Sequence, residues 1–123
     1  MPDELPILAF ASAGELHAWL AAHHATSPGI WLRIFKKSSG RASVSFEAVL
    51  DEGLCFGWSE SARRAYDDVS YLQRFTPRRT LGTHSPRNKA RARALIRAGR
   101  MTPAGRQALG LKPSAPARKA GAR

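Results

Sequence analysis

Arginines are the residues of this chain best placed to do chemistry. Arg74, Arg78 and Arg79 close a segment that reads as a hairpin, and Ser85-Pro86 then opens a helix, whose unpaired first amides and dipole attract an anion. Arg87 and Asn88 fall in the first turn of that helix, and Arg100 follows its end, beside the second cap-then-proline start at Thr102-Pro103. Glu60, on the paired strand, is the acid expected beside this cluster. It has two readings. It is a counter-ion clamping Arg78 or Arg79 in a charge-assisted pair, or it is one polar side of a ligand pocket in which Trp58 forms a wall. A ligand of the cluster would carry a phosphate or a comparable anion.

The other reactive residue types carry less. Cys55 lies between Leu54 and Phe56, so it is expected to be a buried, inert thiol rather than a nucleophile. Gly57-Trp58-Ser59-Glu60-Ser61 only partly matches a nucleophile elbow, because the second glycine is a serine and the turn runs from helix to strand. His17, His23 and His24 share a helix, but His23 falls on its apolar stripe and the others lack a carboxylate at ligand spacing. His84 and Ser85 are adjacent, and adjacent residues rarely point at each other, which leaves Ser85 as a helix cap. No phosphate loop, dinucleotide fingerprint or paired catalytic carboxylates are present. The sequence therefore assigns no catalytic residue, cofactor or metal.

Charge adds a class of partner. Residues 1–60 hold seven acids and four bases, whereas residues 61–123 hold two acids and sixteen bases, so the whole net charge of +11 comes from the second half. Such asymmetry points to a face that meets an anionic partner, either a phosphate-bearing ligand or a nucleic-acid backbone. With 123 residues there is room for one domain. No apolar run approaches the roughly 20 residues of a spanning helix, and Met1-Pro2-Asp3-Glu4 does not resemble a secretory leader, so the expected compartment is the cytoplasm. One cysteine excludes an internal disulfide and a cysteine-built zinc site.

The elements that must position these residues follow from caps and periodicity. Pro6 to Ala11 reads as a short edge strand. Ser12-x-x-Glu15 is a capping box, followed by the stripe Leu16, Trp19, Leu20 and His23. Ile30 to Lys37 reads as a strand. Ser43 or Ser45 starts a helix through Leu54 that Gly57 closes. Phe56 to Arg78 reads as a hairpin turning at Asp67-Asp68, with Tyr66 opposite Val69, Arg64 opposite Tyr71 and Glu60 opposite Phe75. Helices from Ser85-Pro86 to Gly99 and from Thr102-Pro103 to about Gly110 complete the order. The expected fold is a small α+β domain over residues 1–111, a short mixed sheet with a hairpin against about four helices. Residues 112–123 form a basic tail with nothing to bury. Trp19, Leu20, Trp31, Ile34, Leu50, Leu54, Phe56 and Phe75 are expected in one core.

Four segments in order, Glu52-Gly53-Leu54-Cys55-Phe56-Gly57-Trp58, Tyr71-Leu72-Gln73-Arg74-Phe75-Thr76-Pro77-Arg78-Arg79, Ser85-Pro86-Arg87-Asn88 and Ala98-Gly99-Arg100-Met101-Thr102-Pro103-Ala104-Gly105, resemble the YdeI/OmpD-associated family. That family is also labelled bacteriocin-protection proteins, and the resemblance runs from about Leu16 to about Leu109. It implies a bacterial α+β domain linked to envelope stress and tolerance of antimicrobial peptides. The chain departs from the pattern at Glu60, where an aspartate is usual, and at His84, where a tryptophan is usual.

Two classes of function follow as expectations. One is a non-enzymatic stress-tolerance protein whose basic face holds an anion, with sequence-independent nucleic-acid binding as its nearest alternative. The other is a small enzyme or ligand sensor with a pocket around Trp58, Glu60 and Arg78.

Overall fold

Hydroxyl side chains open all four helices. In the computed structural model, which describes residues 5–79 and 85–111, Ser12 Oγ accepts from the Glu15 amide at 3.2 Å and starts α1 (Ala13–His23). Ser45 Oγ accepts from Ala48 at 3.1 Å and starts α2 (Phe46–Phe56). Ser85 and Thr102 do the same for α3 (Pro86–Arg97) and α4 (Pro103–Ala108), each followed by proline at the first helical position. Each cap satisfies an amide that has no partner inside its helix. The Glu15 carboxylate returns to the Ala11 amide at 2.8 Å, one residue before the expected Ser12 amide. Ser43 does not cap; its Oγ accepts from the Phe35 amide at 3.0 Å and ties the loop to the sheet.

The strands are β1 (Ile7–Ala9), β2 (Ile30–Phe35), β3 (Trp58–Asp67) and β4 (Ser70–Pro77), in the spatial order β1-β2-β4-β3. β1 runs parallel to β2 at the edge, and the remaining pairs are antiparallel. The fold is therefore of the α+β class, with a four-stranded mixed sheet and four α-helices among the described residues. β2 stops two residues earlier than expected, because Lys37–Ser39 coils into a 3₁₀ turn closed by Gly40 at φ 73°.

Alternation along β2 divides the sheet. Ile30, Leu32 and Ile34 face the helices and pack with Leu16, Leu20, Val49, Leu54, Phe56, Trp58, Phe75 and Leu95. Trp19 is only half-buried at the margin of this core, with its ring edge-on to Trp58 at 5.7 Å between centroids. Trp31, expected in the same core, is buried on the opposite face, since its neighbours Ile30 and Leu32 claim the helix side and successive strand residues alternate. Leu50 is buried outside the main cluster as well.

The hairpin register changes along its length. At the base, Trp58 pairs with Pro77 and Glu60 with Phe75, the latter as expected. Irregularities between Glu60 and Arg63 and between Ala65 and Asp67 each add one residue to β3. Arg64 therefore pairs with Leu72 rather than Tyr71, Asp67 pairs with Ser70, and the loop is Asp68-Val69 rather than Asp67-Asp68.

α4 closes the domain against the end of α2. Thr102 Oγ1 donates to the Cys55 carbonyl, and the Thr102 amide reaches the same oxygen at 3.1 Å. Gly105 lies so close to the Leu54 and Cys55 carbonyls that any side chain there would overlap them. The expected tail at 112–123 and most of the connection before Ser85, including His84, lie outside the described residues. Among the described residues no helix is long and apolar enough to cross a membrane.

Candidate nucleic-acid interface

The residues singled out in the sequence are spread over several places. Trp58 is 1% exposed in the core, its Nε1 donating to the His24 carbonyl at 3.3 Å. Glu60 and Arg78 are half-buried at the base of the hairpin. Burial holds the Arg78 guanidinium below its usual pKa, and the negative charge of Glu60 works against that shift. Those two are brought within electrostatic reach. Arg79 is exposed, Ser85 and Asn88 are joined in the α3 cap, and Arg87 is exposed on the first turn of α3.

Arg100 belongs to a different cluster from Glu60. Its Nη2 donates to Glu52 Oε2 at 3.0 Å, and its Nη1 lies 4.0 Å from Asp51 Oδ2. Arg91 Nη1 donates to Asp51 Oδ1 at 2.7 Å, and His17 Nδ1 lies 2.9 Å from Glu52 Oε1. The Asp51-Glu52 pair of α2 thus anchors α1, α3 and the α3–α4 connection. Glu60 is not the only acid near the arginines. Among the described residues no group of three His, Cys, Asp or Glu side chains gathers as a metal set. Cys55 is buried, and burial, with the Glu52 charge next, pushes its thiol up to about 11.

Arg74 leads to a surface that the sequence reading did not assemble. It pairs with Trp31 across β2 and β4 on the face turned away from the helices. That outer face carries Trp31, Arg33 and Phe35 from β2, Ser70, Leu72 and Arg74 from β4, and Arg64 and Tyr66 from β3. Ile7 at the β1 edge and Tyr66 at the β3 edge are exposed at 45% and 48%. Trp31 and Leu72 between them are almost fully buried and lie outside the helix-side core cluster.

Arginines cover these rings. The Arg64 guanidinium carbon sits 4.3 Å from the Trp31 ring centroid. Arg33 lies 4.4 Å from Phe35 and 5.0 Å from Tyr66, and Arg41, from the loop after β2, approaches the same Phe35 ring at 4.5 Å. A guanidinium over a π face gains electrostatic attraction and hides apolar area, while its in-plane N–H groups stay available. The arginines differ in how those donors are used. Arg33 donates Nε to Ser70 Oγ at 3.0 Å and Nη2 to Asp67 Oδ2 at 2.7 Å. Arg64 and Arg41, by contrast, are held by their rings and make no side-chain hydrogen bond or ion pair among the described residues. Both residues are exposed.

The signal was present as period two in Trp31-Leu32-Arg33-Ile34-Phe35 and in Arg64-Ala65-Tyr66, which places aromatic and arginine on one face. Among the described residues the face offers aromatic and guanidinium planes and one acid, Asp67, already paired with Arg33.

Residues 8–108 match the family described as Domain of unknown function (DUF8412), and the chain belongs to that family. No curated protein and no solved structure matches it.

Proposed function

We propose that this DUF8412 domain binds single-stranded nucleic acid, without sequence preference, on the outer face of its sheet. The observation that carries the reading is Arg64 laid over Trp31 with no hydrogen-bond or ion-pair partner among the described residues. A guanidinium in that position presents its second face to a base and its edge to a phosphate. Proteins that hold single strands combine such stacking planes with a basic track, and stacking tolerates any base. Arg41, Arg74 and Tyr66 extend the track from Arg64 in both directions, and the basic second half of the chain supplies long-range attraction. This narrows the anionic partner expected from charge to one class.

A duplex presents its phosphates on the outside and its bases stacked within, so it offers this face only half of what it can use. The test is fluorescence anisotropy of labelled single-stranded, duplex and unlabelled competitor oligonucleotides, with anionic vesicles as a further competitor. Single strands of mixed sequence should bind alike and more tightly than duplex, with a log–log salt slope of about −0.7 per phosphate neutralised. Arg64→Ala combined with Tyr66→Ala should weaken single-strand binding at least tenfold. Equal affinity for duplex, preferential capture by vesicles, or an unaffected double variant would each overturn the proposal.

A further inference from the structure

At the end of the sheet where Phe35 leaves the outer face, a half-enclosed cleft of about 330 Å³ opens between β2, the loop after it and the start of α2. We propose that this cleft is a site for a nucleoside monophosphate, either free or as the terminal residue of a strand. The inference goes beyond the stacking face, and its free-nucleotide arm stands whether or not that face binds a strand.

The lining divides by chemistry. Phe35, with Arg41 over it, and Phe46 and Tyr71, with Arg63 over both, contribute rings to a lining that also includes Ile34 and Val44, so the cleft offers apolar surface to a planar body. The volume is at the lower end of the roughly 300–1,000 Å³ usual for ligand pockets, enough for a ring system with one substituent and too small for an extended chain. Lys37 and Arg41 stand on the loop side, both exposed and neither spent on a carboxylate. Lys36 adds a third cation, its Nζ reaching the Asp68 carbonyl at 3.4 Å. Glu47, from the first turn of α2, is the one acid of the lining. A planar apolar body, an anion for the cations and hydroxyl or amine donors for the carboxylate describe a nucleoside monophosphate. Inorganic phosphate would leave the rings unused, and a plain nucleoside would leave the cations unused.

The experiment uses the full chain and isothermal titration with AMP, adenosine and inorganic phosphate. AMP should bind at least tenfold more tightly than either of the other two. Lys36→Glu with Lys37→Glu should weaken AMP at least tenfold while leaving the melting temperature in place, since both side chains are exposed. Arg64→Ala, on the outer face, should leave AMP affinity unchanged, so loss of oligonucleotide binding there and loss of AMP binding here are separate results. A 5′-phosphorylated oligonucleotide that displaces AMP where its 5′-hydroxyl twin does not assigns the source to strand ends; displacement by neither assigns it to the free nucleotide. Phosphate binding as tightly as AMP, AMP binding indifferent to the double variant, or no AMP binding at millimolar concentration would overturn the proposal.

Discussion

Arg33 donates to Asp67 at 2.7 Å, joining the middle of the sheet to the tip of the hairpin. Asp67 also accepts from Ser70 Oγ at 2.6 Å and from the Val69 amide at 3.0 Å. These bonds, the Ser70 hydroxyl first, hold its carboxyl below the usual aspartate value against a desolvation that works the other way. A depressed carboxyl pKa adds stability that is complete above the unfolded value of about 3.9 and is lost as pH falls through the lower folded value. Asp67→Asn should therefore melt below the parent protein at neutral pH, and the gap should close as the pH is taken toward about 2. A gap of constant size across that range, read by thermal melts, would detach the effect from the charge.

The same corner marks where the sequence stopped being legible. Caps at Ser12, Ser45, Ser85 and Thr102 are local hydrogen bonds between residues three apart, and the chain order alone locates them. Glu60 pairs with Phe75 as expected only because the two extra residues of β3 offset a loop that lies one position later in the chain. Beyond it, two extra residues in β3 shift every partner, and what fixes Asp67 opposite Ser70 includes Arg33, a residue 34 positions away. Arg74 was found as a candidate from its place in a basic segment. Arg33, Arg41 and Arg64 were not, because which face of a strand turns outward depends on where the helices dock. Trp31 went into the wrong layer for that same reason.

Glu52 is buried on α2 and receives both His17 and Arg100. A charge-assisted hydrogen bond contributes roughly 1.5–3 kcal/mol, reduced here because the Arg100 side chain is 44% exposed. Glu52→Gln should cost about 1–2 kcal/mol in urea unfolding. His17→Ala should cost less, since that ring is mostly open to water. The reverse ranking would mean that α1, rather than the α3–α4 connection, depends on this acid.

Two glycines in or beside helices should respond in opposite directions to alanine. At Gly14 on α1 the nearest atom to an added methyl is Ser12 Oγ at 3.7 Å, an ordinary contact. Gly14→Ala should gain roughly 0.5–1 kcal/mol from helix propensity. At Gly105 the methyl would meet the Leu54 and Cys55 carbonyls, so α4 must move off α2. Gly105→Ala should cost about 1–3 kcal/mol. Stabilisation at both positions, by melting, would show that α4 is not seated as described.

With its thiol pushed up to about 11 by burial, Cys55 holds its proton at neutral pH. A disulfide reagent should label it only as fast as the domain opens, with the rate rising in step with denaturant. Because the folded state keeps a proton that the unfolded chain gives up near 9.0, stability should fall as pH rises from there, by about 1.4 kcal/mol per unit until the folded value is reached. Rapid labelling of the native protein in the absence of denaturant would place the thiol at the surface.

Arg64 separates a cover for Trp31 from a surface that binds. If the guanidinium only shields the indole, Arg64→Ala should lower stability by about 0.5–1 kcal/mol, the usual range for an exposed cation over a ring, and leave oligonucleotide affinity in place. If it also stacks a base, the same substitution should weaken single-strand binding by about tenfold, in line with the roughly 1–3 kcal/mol per stacked base. Arg64→Lys divides the two contributions further. Lysine keeps the positive charge and loses the plane, so its salt slope should match the parent protein while its affinity falls. Arg64→Ala should also flatten the slope by about 0.7, the contribution of one phosphate on a single strand. A lysine variant that binds as tightly as the parent protein would reduce the role of Arg64 to charge alone, and the stacking element of the proposal would fail.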